Sequence, residues 1–205
     1  MNSRRKGSGC TAIGLLLVAA ALCLSVYNIT DANRANRASV SVAAELVEQL
    51  ETTTPSQDME LIPDYLAFPE KAMPAVEIDG QRYVGCLEIP DLQLLLPVTE
   101  GEQAESNLKN APGQYAGSVY LKNMVIGAHN YVRHFGRLST LKSGAEVFFT
   151  DADGNRFAYT VGWSEILEKT DVEGMVTADD WDLTLYTCTY SGEKRLALRC
   201  SQTQL

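Results

Sequence analysis

The sequence predicts an all-β domain, a barrel or a sandwich, carried behind an apolar transmembrane helix and a helical stalk. Three observations predict it. Residues 11–29 read TAIGLLLVAAALCLSVYNI without a single charge. From Val76 onward short apolar runs recur, separated by turn residues, and windows of helical periodicity are few. Between these parts, residues 31–50 carry Val40, Ala43, Ala44, Val47 and Leu50 at three- and four-residue spacing.

At 1.5 Å per residue, the first run spans roughly 28 Å, close to the hydrocarbon thickness of a bilayer. Arg4, Arg5 and Lys6 precede it, so the positive-inside rule places the N-terminus in the cytoplasm and the body outside. A cleaved signal peptide would have a similar basic start and apolar centre. No clear small-x-small site follows the run, which favours a retained anchor. Asp31 can cap the next helix. Residues 51–58 are a polar break, and Pro63 and Pro74 sit in the stretch that leads into the body.

In the body, residues 83–89 and 92–98 read as strands parted by Pro90-Asp91, and residues 118–129 as further strand interrupted at Lys122-Asn123. Residues 133–141 read as a short helix. Residues 145–150 and 156–163 flank Asp151-Ala152-Asp153-Gly154-Asn155, a hairpin turn. This turn is not an EF-hand loop, which needs glycine and glutamate where Arg156 and Gly162 stand. Residues 166–181 read as a polar, acidic connection, and residues 183–188 and 195–200 as the last strands.

The chain has 17 basic and 26 acidic residues, and from residue 30 onward 14 basic residues face all 26 acids, a net −12. Such a body lacks the clustered Lys and Arg that a phosphate backbone demands, so no nucleic-acid partner is expected. The five cysteines show no metal-ligand spacing, and two histidines do not complete a zinc site. No metal or other cofactor is expected. Three thiols (Cys86, Cys188 and Cys200) lie in the body, an odd number for an extracellular domain.

Strand parity separates the last two of these. Leu196, Leu198 and Cys200 share one face, which makes Cys200 a core thiol. Cys188 falls on the less apolar face of its strand, at the strand end. Taken alone, such a cysteine is more often buried and inert than catalytic. A thiol that attacks an amide at neutral pH needs a neighbouring imidazole and a donor for the oxyanion. His129, Cys188 and Arg195 supply those three functions. His134, among Arg133, Phe135 and Arg137, reads as a surface residue. Arg199 is the rival guanidinium, roughly 13 Å farther along the strand.

The motifs in which these residues stand resemble those of the sortases, the membrane-anchored cysteine transpeptidases of Gram-positive bacteria. Thr184-Leu185-Tyr186-Thr187-Cys188 is similar to their TL-x-TC motif, and Arg195 opens the final apolar strand. Val125-Ile126-Gly127-Ala128-His129 resembles the histidine strand, although many members place glycine directly before the histidine. Ile89-Pro90-Asp91-Leu92 and Leu96-Pro97-Val98 resemble the early proline motifs.

The resemblance implies a closed sortase-type β-barrel of about eight strands with short helices. It divides the chain into a cytoplasmic tail (1–10), a single-pass transmembrane anchor (11–29) that meets membrane lipid, a stalk and linker (30–75) and an extracellular catalytic domain (76–205). It implies Cys188 as nucleophile, His129 as general acid/base and Arg195 as holder of substrate and oxyanion, with Thr187 in substrate positioning. The implied partners are secreted surface proteins with a C-terminal LPxTG-like sorting signal and an amine of a peptidoglycan precursor or cross-bridge. Residues 166–181 correspond to the family's substrate-selecting segment. No apolar segment follows Cys200, which favours wall anchoring over pilus building. Another Cys-His wall-peptide hydrolase and a non-enzymatic membrane-tethered β-domain are the competing readings.

Overall fold

Helix α1 (Ser3–Thr53) runs without a break through both apolar stretches. The structure, a computed structural model, describes residues 3–53, 63–101, 111–177 and 180–203. The chain divides into two compact units, one ending at Arg34 and the other beginning at Ala35. In the first unit Leu15, Leu16, Leu17, Leu22 and Leu24 are all exposed. A helix whose described side chains are apolar and exposed on every side is suited to a lipid solvent, and this one is long and apolar enough to cross a bilayer.

In the second unit α1 packs its face on the body through Ser39, Ala43 and Leu46, spaced at i, i+4 and i+7. The stripe expected from sequence is rotated, because Val40 is 55% exposed and Ala44 points outward as well. Leu50 lies outside the described side chains. Asp31 lies inside the helix rather than at its start, since the helical run never breaks to need a cap. Leu46 is fully buried in a cluster with Ile78, Tyr83, Cys86 and Ala111. Burying such a leucine is worth about 2 kcal/mol.

The body is the expected closed barrel. Its strands are β1 (Val76–Ile78), β2 (Gln81–Ile89), β3 (Leu94–Thr99), β4 (Gly113–Ala116), β5 (Met124–Gly127), β6 (Glu146–Asp151), β7 (Arg156–Glu168), β8 (Leu183–Cys188) and β9 (Lys194–Thr203). Their order is β1-β2-β3-β4-β5-β8-β9-β7-β6, and a β2–β6 pairing closes β2 to β9 into eight staves. The short β1 is an extra strand on β2. At the closing seam Gly85 is indispensable, because a Cβ there would stand 2.1 Å from the Thr150 carbonyl oxygen. The core inside the barrel includes Leu87, Ile89, Val98, Ile126, Phe135, Phe149, Leu183, Leu185, Leu198 and Cys200.

Several local expectations change. β4 is a strand that the sequence does not announce, and residues 119–122 form a turn where further strand is expected. The helix expected over 133–141 is a single 3-10 turn, Leu138–Thr140, which follows a loop tied by backbone hydrogen bonds. β7 continues to Glu168 because β9 pairs with it all the way to Glu168–Lys194, so the β7–β8 connection is shorter than expected. Within that connection lies the one-turn helix α3 (Val172–Val176), capped by the Asp171 carboxylate on the Gly174 N–H at 2.9 Å. A second short helix, α2 (Asp64–Ala67), precedes β1. The 151–155 segment is the expected turn, with Asp151 Oδ1 accepting from the Asp153 and Asn155 N–H groups at 3.0 and 2.8 Å.

Candidate active site

The site is assembled where β5, β8 and β9 end side by side. β5 and β8 run parallel in the register Val125–Thr184, Ile126–Leu185 and Gly127–Tyr186. Two bonds continue that register past β5. The Ala128 N–H donates to the Tyr186 carbonyl at 3.1 Å, and the Thr187 hydroxyl donates to the Ala128 carbonyl at 2.8 Å. His129 follows Ala128 and Cys188 follows Thr187, so the two residues leave neighbouring strands at the same barrel end. On the other side Cys188 is the direct partner of Arg195 across the antiparallel β8–β9 pair. The turn between them is closed by the Thr189 N–H on the Lys194 carbonyl and the Gly192 N–H on the Thr189 carbonyl.

Cys188, His129 and Arg195 are all partly exposed, whereas Thr187 is 2% exposed. The Thr187 hydroxyl is engaged inside the sheet, tying the cysteine strand to the histidine strand. Arg195 Nη1 donates to the Gly192 and Lys194 carbonyls at 3.3 and 3.2 Å, and among the described residues no carboxylate pairs with it. The His129 ring stacks on Tyr131 with centroids 5.2 Å apart.

Parity sorts the cysteines as expected. Cys200 is fully buried in the core and its thiol is pushed up to about 12 by burial. Burial does the same to Cys86 under α1, also to about 12. Neither thiol is available as a nucleophile at neutral pH.

A groove of about 420 Å³ opens beside Arg195, lined by Tyr115, Tyr186, Met175, Val172, Asp171 and Glu168 among others. Tyr186 forms part of it by lying across Gly127. A Cβ at Gly127 would meet the Tyr186 ring at 2.5–2.6 Å, and the ring stands edge-on to Tyr115 at 5.5 Å. Gly127→Ala is therefore expected to displace Tyr186 and to cost about 1–3 kcal/mol, as overpacking does. A melting temperature equal to that of the native chain would contradict this.

The opposite wall of the groove is held by Arg199, which is 1% exposed. Its Nε donates to Glu165 at 2.7 Å and its Nη1 to the Thr184 hydroxyl at 2.7 Å. Nη1 also reaches the Met175 carbonyl at 3.2 Å, and Nη2 the Gly174 carbonyl at 2.6 Å. The guanidinium lies 4.2 Å over the Trp181 ring. Arg199 thus ties the α3 loop to the barrel wall and is not free to meet a ligand. Three acidic residues of this region are engaged as well. Glu165 pairs with Arg199, Glu168 pairs with Lys194 at 2.7 Å, and Asp171 caps α3.

His134 is the largest departure from the sequence reading. It is 1% exposed, not a surface residue, and its Nε2 lies 3.2 Å from the Ser39 hydroxyl of α1. The chain folds back at this point, with the His134 and Gly136 N–H groups both donating to the Tyr131 carbonyl at 2.9 Å. Burial, and secondarily the nearby His129, lower the His134 pKa from 6.5 to about 4. The unfolded chain therefore takes up this proton at a higher pH than the folded one. The stability that His134 contributes is complete above about pH 6.5 and is lost as the pH falls towards 4. The expected span is on the order of 3 kcal/mol. Melting curves between pH 7 and 4.5 should fall more steeply for the native chain than for His134→Phe. Parallel curves would contradict the assignment.

A Sortase domain model matches residues 87–203, more than half of the chain. Sortase A of Listeria monocytogenes is 26% identical over 118 residues, 56% of this chain and 53% of that protein. The chain thus aligns with about half the length of this curated relative. Among solved structures, a Clostridium perfringens sortase D5 transpeptidase superposes with a TM-score of 0.57 at 19% identity, covering 80% of this chain and 99% of that one. Clostridium perfringens sortase C with the C-terminal cell wall sorting motif gives a TM-score of 0.53 at 22% identity, covering 84% and 95%. The barrel, its closure and the matched domain agree, and this chain belongs to the sortase family.

Proposed function

We propose that this chain is a membrane-anchored cysteine transpeptidase that joins surface proteins to the cell wall. The observation that carries the reading is the register of β5, β8 and β9, in which Cys188 stands opposite Arg195 and next to His129, beside a groove. Cys188 Sγ attacks the threonine carbonyl of an LPxTG-like sorting signal. The carbonyl oxygen takes the negative charge, and the Arg195 guanidinium, unpaired with any carboxylate among the described residues, stabilises it. The C–N bond to the following glycine breaks, and His129 protonates the departing amine. A thioacyl enzyme remains. An amine of a peptidoglycan precursor or cross-bridge then attacks it, gives its proton to His129 and releases the Cys188 thiolate.

Thr187 contributes indirectly, by holding the histidine strand in register with the cysteine strand. The groove residues Tyr115, Tyr186, Val172 and Met175 receive the apolar part of the signal, and the α3 loop selects it. Residues 11–29 lie in membrane lipid, with Arg4, Arg5 and Lys6 on the cytoplasmic side and residues 76–205 outside.

The test is to incubate the full chain in detergent micelles with an LPxTG-type peptide and to follow masses. The expected result is a thioacyl adduct on Cys188 that converts to an amine-ligated product when an amine is added. Arg195→Ala should lower kcat/KM by about 10²–10³, the cost of losing one oxyanion donor. Hydrolysis alone, indifferent to Arg195→Ala, would replace the reading with that of a wall-peptide hydrolase. No adduct with any sorting peptide would sink it.

A further inference from the structure

The loop that leaves β5 carries three rings in series. His129 stacks on Tyr131 at 5.2 Å with the planes 29° apart, and Tyr131 meets His134 at 5.7 Å and 54°. The loop backbone is closed on itself by the Phe135 N–H on the His129 carbonyl at 3.2 Å and by the two bonds to the Tyr131 carbonyl. Phe135 and Leu138 anchor its far side in the barrel core, both fully buried.

The last ring of the series is fixed from outside the barrel. His134 Nε2 meets the Ser39 hydroxyl at 3.2 Å, both residues are 1% exposed, and His134 Nδ1 has no hydrogen-bond partner among the described residues. The orientation of a buried imidazole with a single side-chain hydrogen bond depends on that bond. Ser39 is itself held in place by Ala43 and Leu46, one and two turns farther along the same face of α1.

We propose that α1 is a positioning element of the acid/base: Ser39 orients His134, and Tyr131 passes that orientation to the His129 ring. The inference rests on the transpeptidase reading for the task of His129, but not for the contact itself. A neutral His134 is also part of the arrangement, because a second charge beside His129 would oppose the imidazolium that the reaction needs. The stretch of helix that follows the apolar segment is then a part of the catalytic apparatus and more than a spacer.

The chain has two histidines, so histidine-labelled protein gives two imidazole signals, one for each end of the series. In the full chain in micelles, Ser39→Ala should shift the His129 imidazole signals and its titration midpoint, not only those of His134. It should lower kcat for peptide transfer on the order of tenfold with KM unchanged, the scale of a small misplacement of a reacting group. Ser39→Thr, which keeps the hydroxyl, should restore both. Val40→Ala, on the exposed side of the helix, should change neither.

His134→Phe keeps a buried ring but removes the hydrogen bond, and should reproduce the kcat loss even where Ser39→Ala folds poorly. Ser39→Ala that moves only the His134 signals, or His134→Phe with native kcat, would overturn the proposal. If the native chain transfers no peptide at all, the transpeptidase reading fails, and the His129 signals still decide whether Ser39 orients that ring.

Discussion

Cys188→Ala is expected to lower peptide transfer by about 10⁴-fold or more while leaving the barrel intact, because on the proposed reading it removes the atom that forms the thioacyl bond. The side chain is partly exposed at a strand end, so its removal should change stability by roughly 0.5 kcal/mol or less. Cys200→Ala should behave in the opposite way. That thiol is fully buried in the main core, so its loss leaves a small cavity worth about 1–2 kcal/mol, with transfer retained. Alkylation at neutral pH should mark Cys188 and spare Cys86 and Cys200, whose thiols burial pushes up to about 12. Melting curves, transfer rates and the mass of the labelled peptide check the three statements together. Rapid labelling of Cys86 or Cys200, or transfer by Cys188→Ala within about a hundredfold of the native rate, would contradict them.

Arg199→Ala is expected to be the most damaging substitution for stability outside the apolar core, on the order of 3 kcal/mol. One guanidinium satisfies Glu165, Thr184 and the carbonyls of Gly174 and Met175, and also covers Trp181. Alanine leaves those acceptors facing an empty volume. Lysine would not rescue the site, since an ammonium lacks the planar fork that reaches several partners at once. Both tryptophans report on this hub, because Trp163 stands edge-on to Trp181 at 5.4 Å. The variant should show altered tryptophan emission and a lower melting temperature and, on the proposed reading, weaker discrimination among sorting peptides, as the α3 loop comes away from the wall. Unchanged emission and melting would show that the hub carries no stability.

The two arginines of β9 illustrate what a strand pattern conveys. Alternation places Arg195, Ala197 and Arg199 on one face, and the structure keeps them there. Alternation does not tell what covers that face. Over Arg199 lie Trp181, Glu165 and the α3 loop; among the described residues Arg195 bonds the carbonyls of its own turn and lines the open groove. Arg195 is the nearer of the two to Cys188 along the hairpin, and the two residues are paired across β8 and β9. What makes Arg199 unavailable is its burial, which depends on a loop with no periodicity to read.

The histidines differ for the same reason. His129 was legible because it ends an apolar run, and a strand end is where a barrel presents side chains to solvent. His134 stands in a polar local context, yet it is buried, because Ser39 meets it across 95 residues of sequence. The buried face of α1 differs by one position from the apolar stripe on the same account, since Val40 continues the stripe while Ser39 is the residue that finds a partner.

The sequence by itself determined the apolar N-terminal segment, the all-β body, the separation of Cys200 in the core from Cys188 at a strand end, and the order of the motifs that resemble those of the sortases. The first three follow from composition and from periods of 2 and 3.6 residues, which are properties of neighbouring positions; the motifs speak only through their resemblance to a known family. Only the tertiary structure decided which arginine is buried, that α1 reaches the histidine loop, and that Gly127 makes room for the Tyr186 ring. Those outcomes depend on desolvation and contact between distant segments, and a buried polar group takes its partners from whatever the fold brings to it.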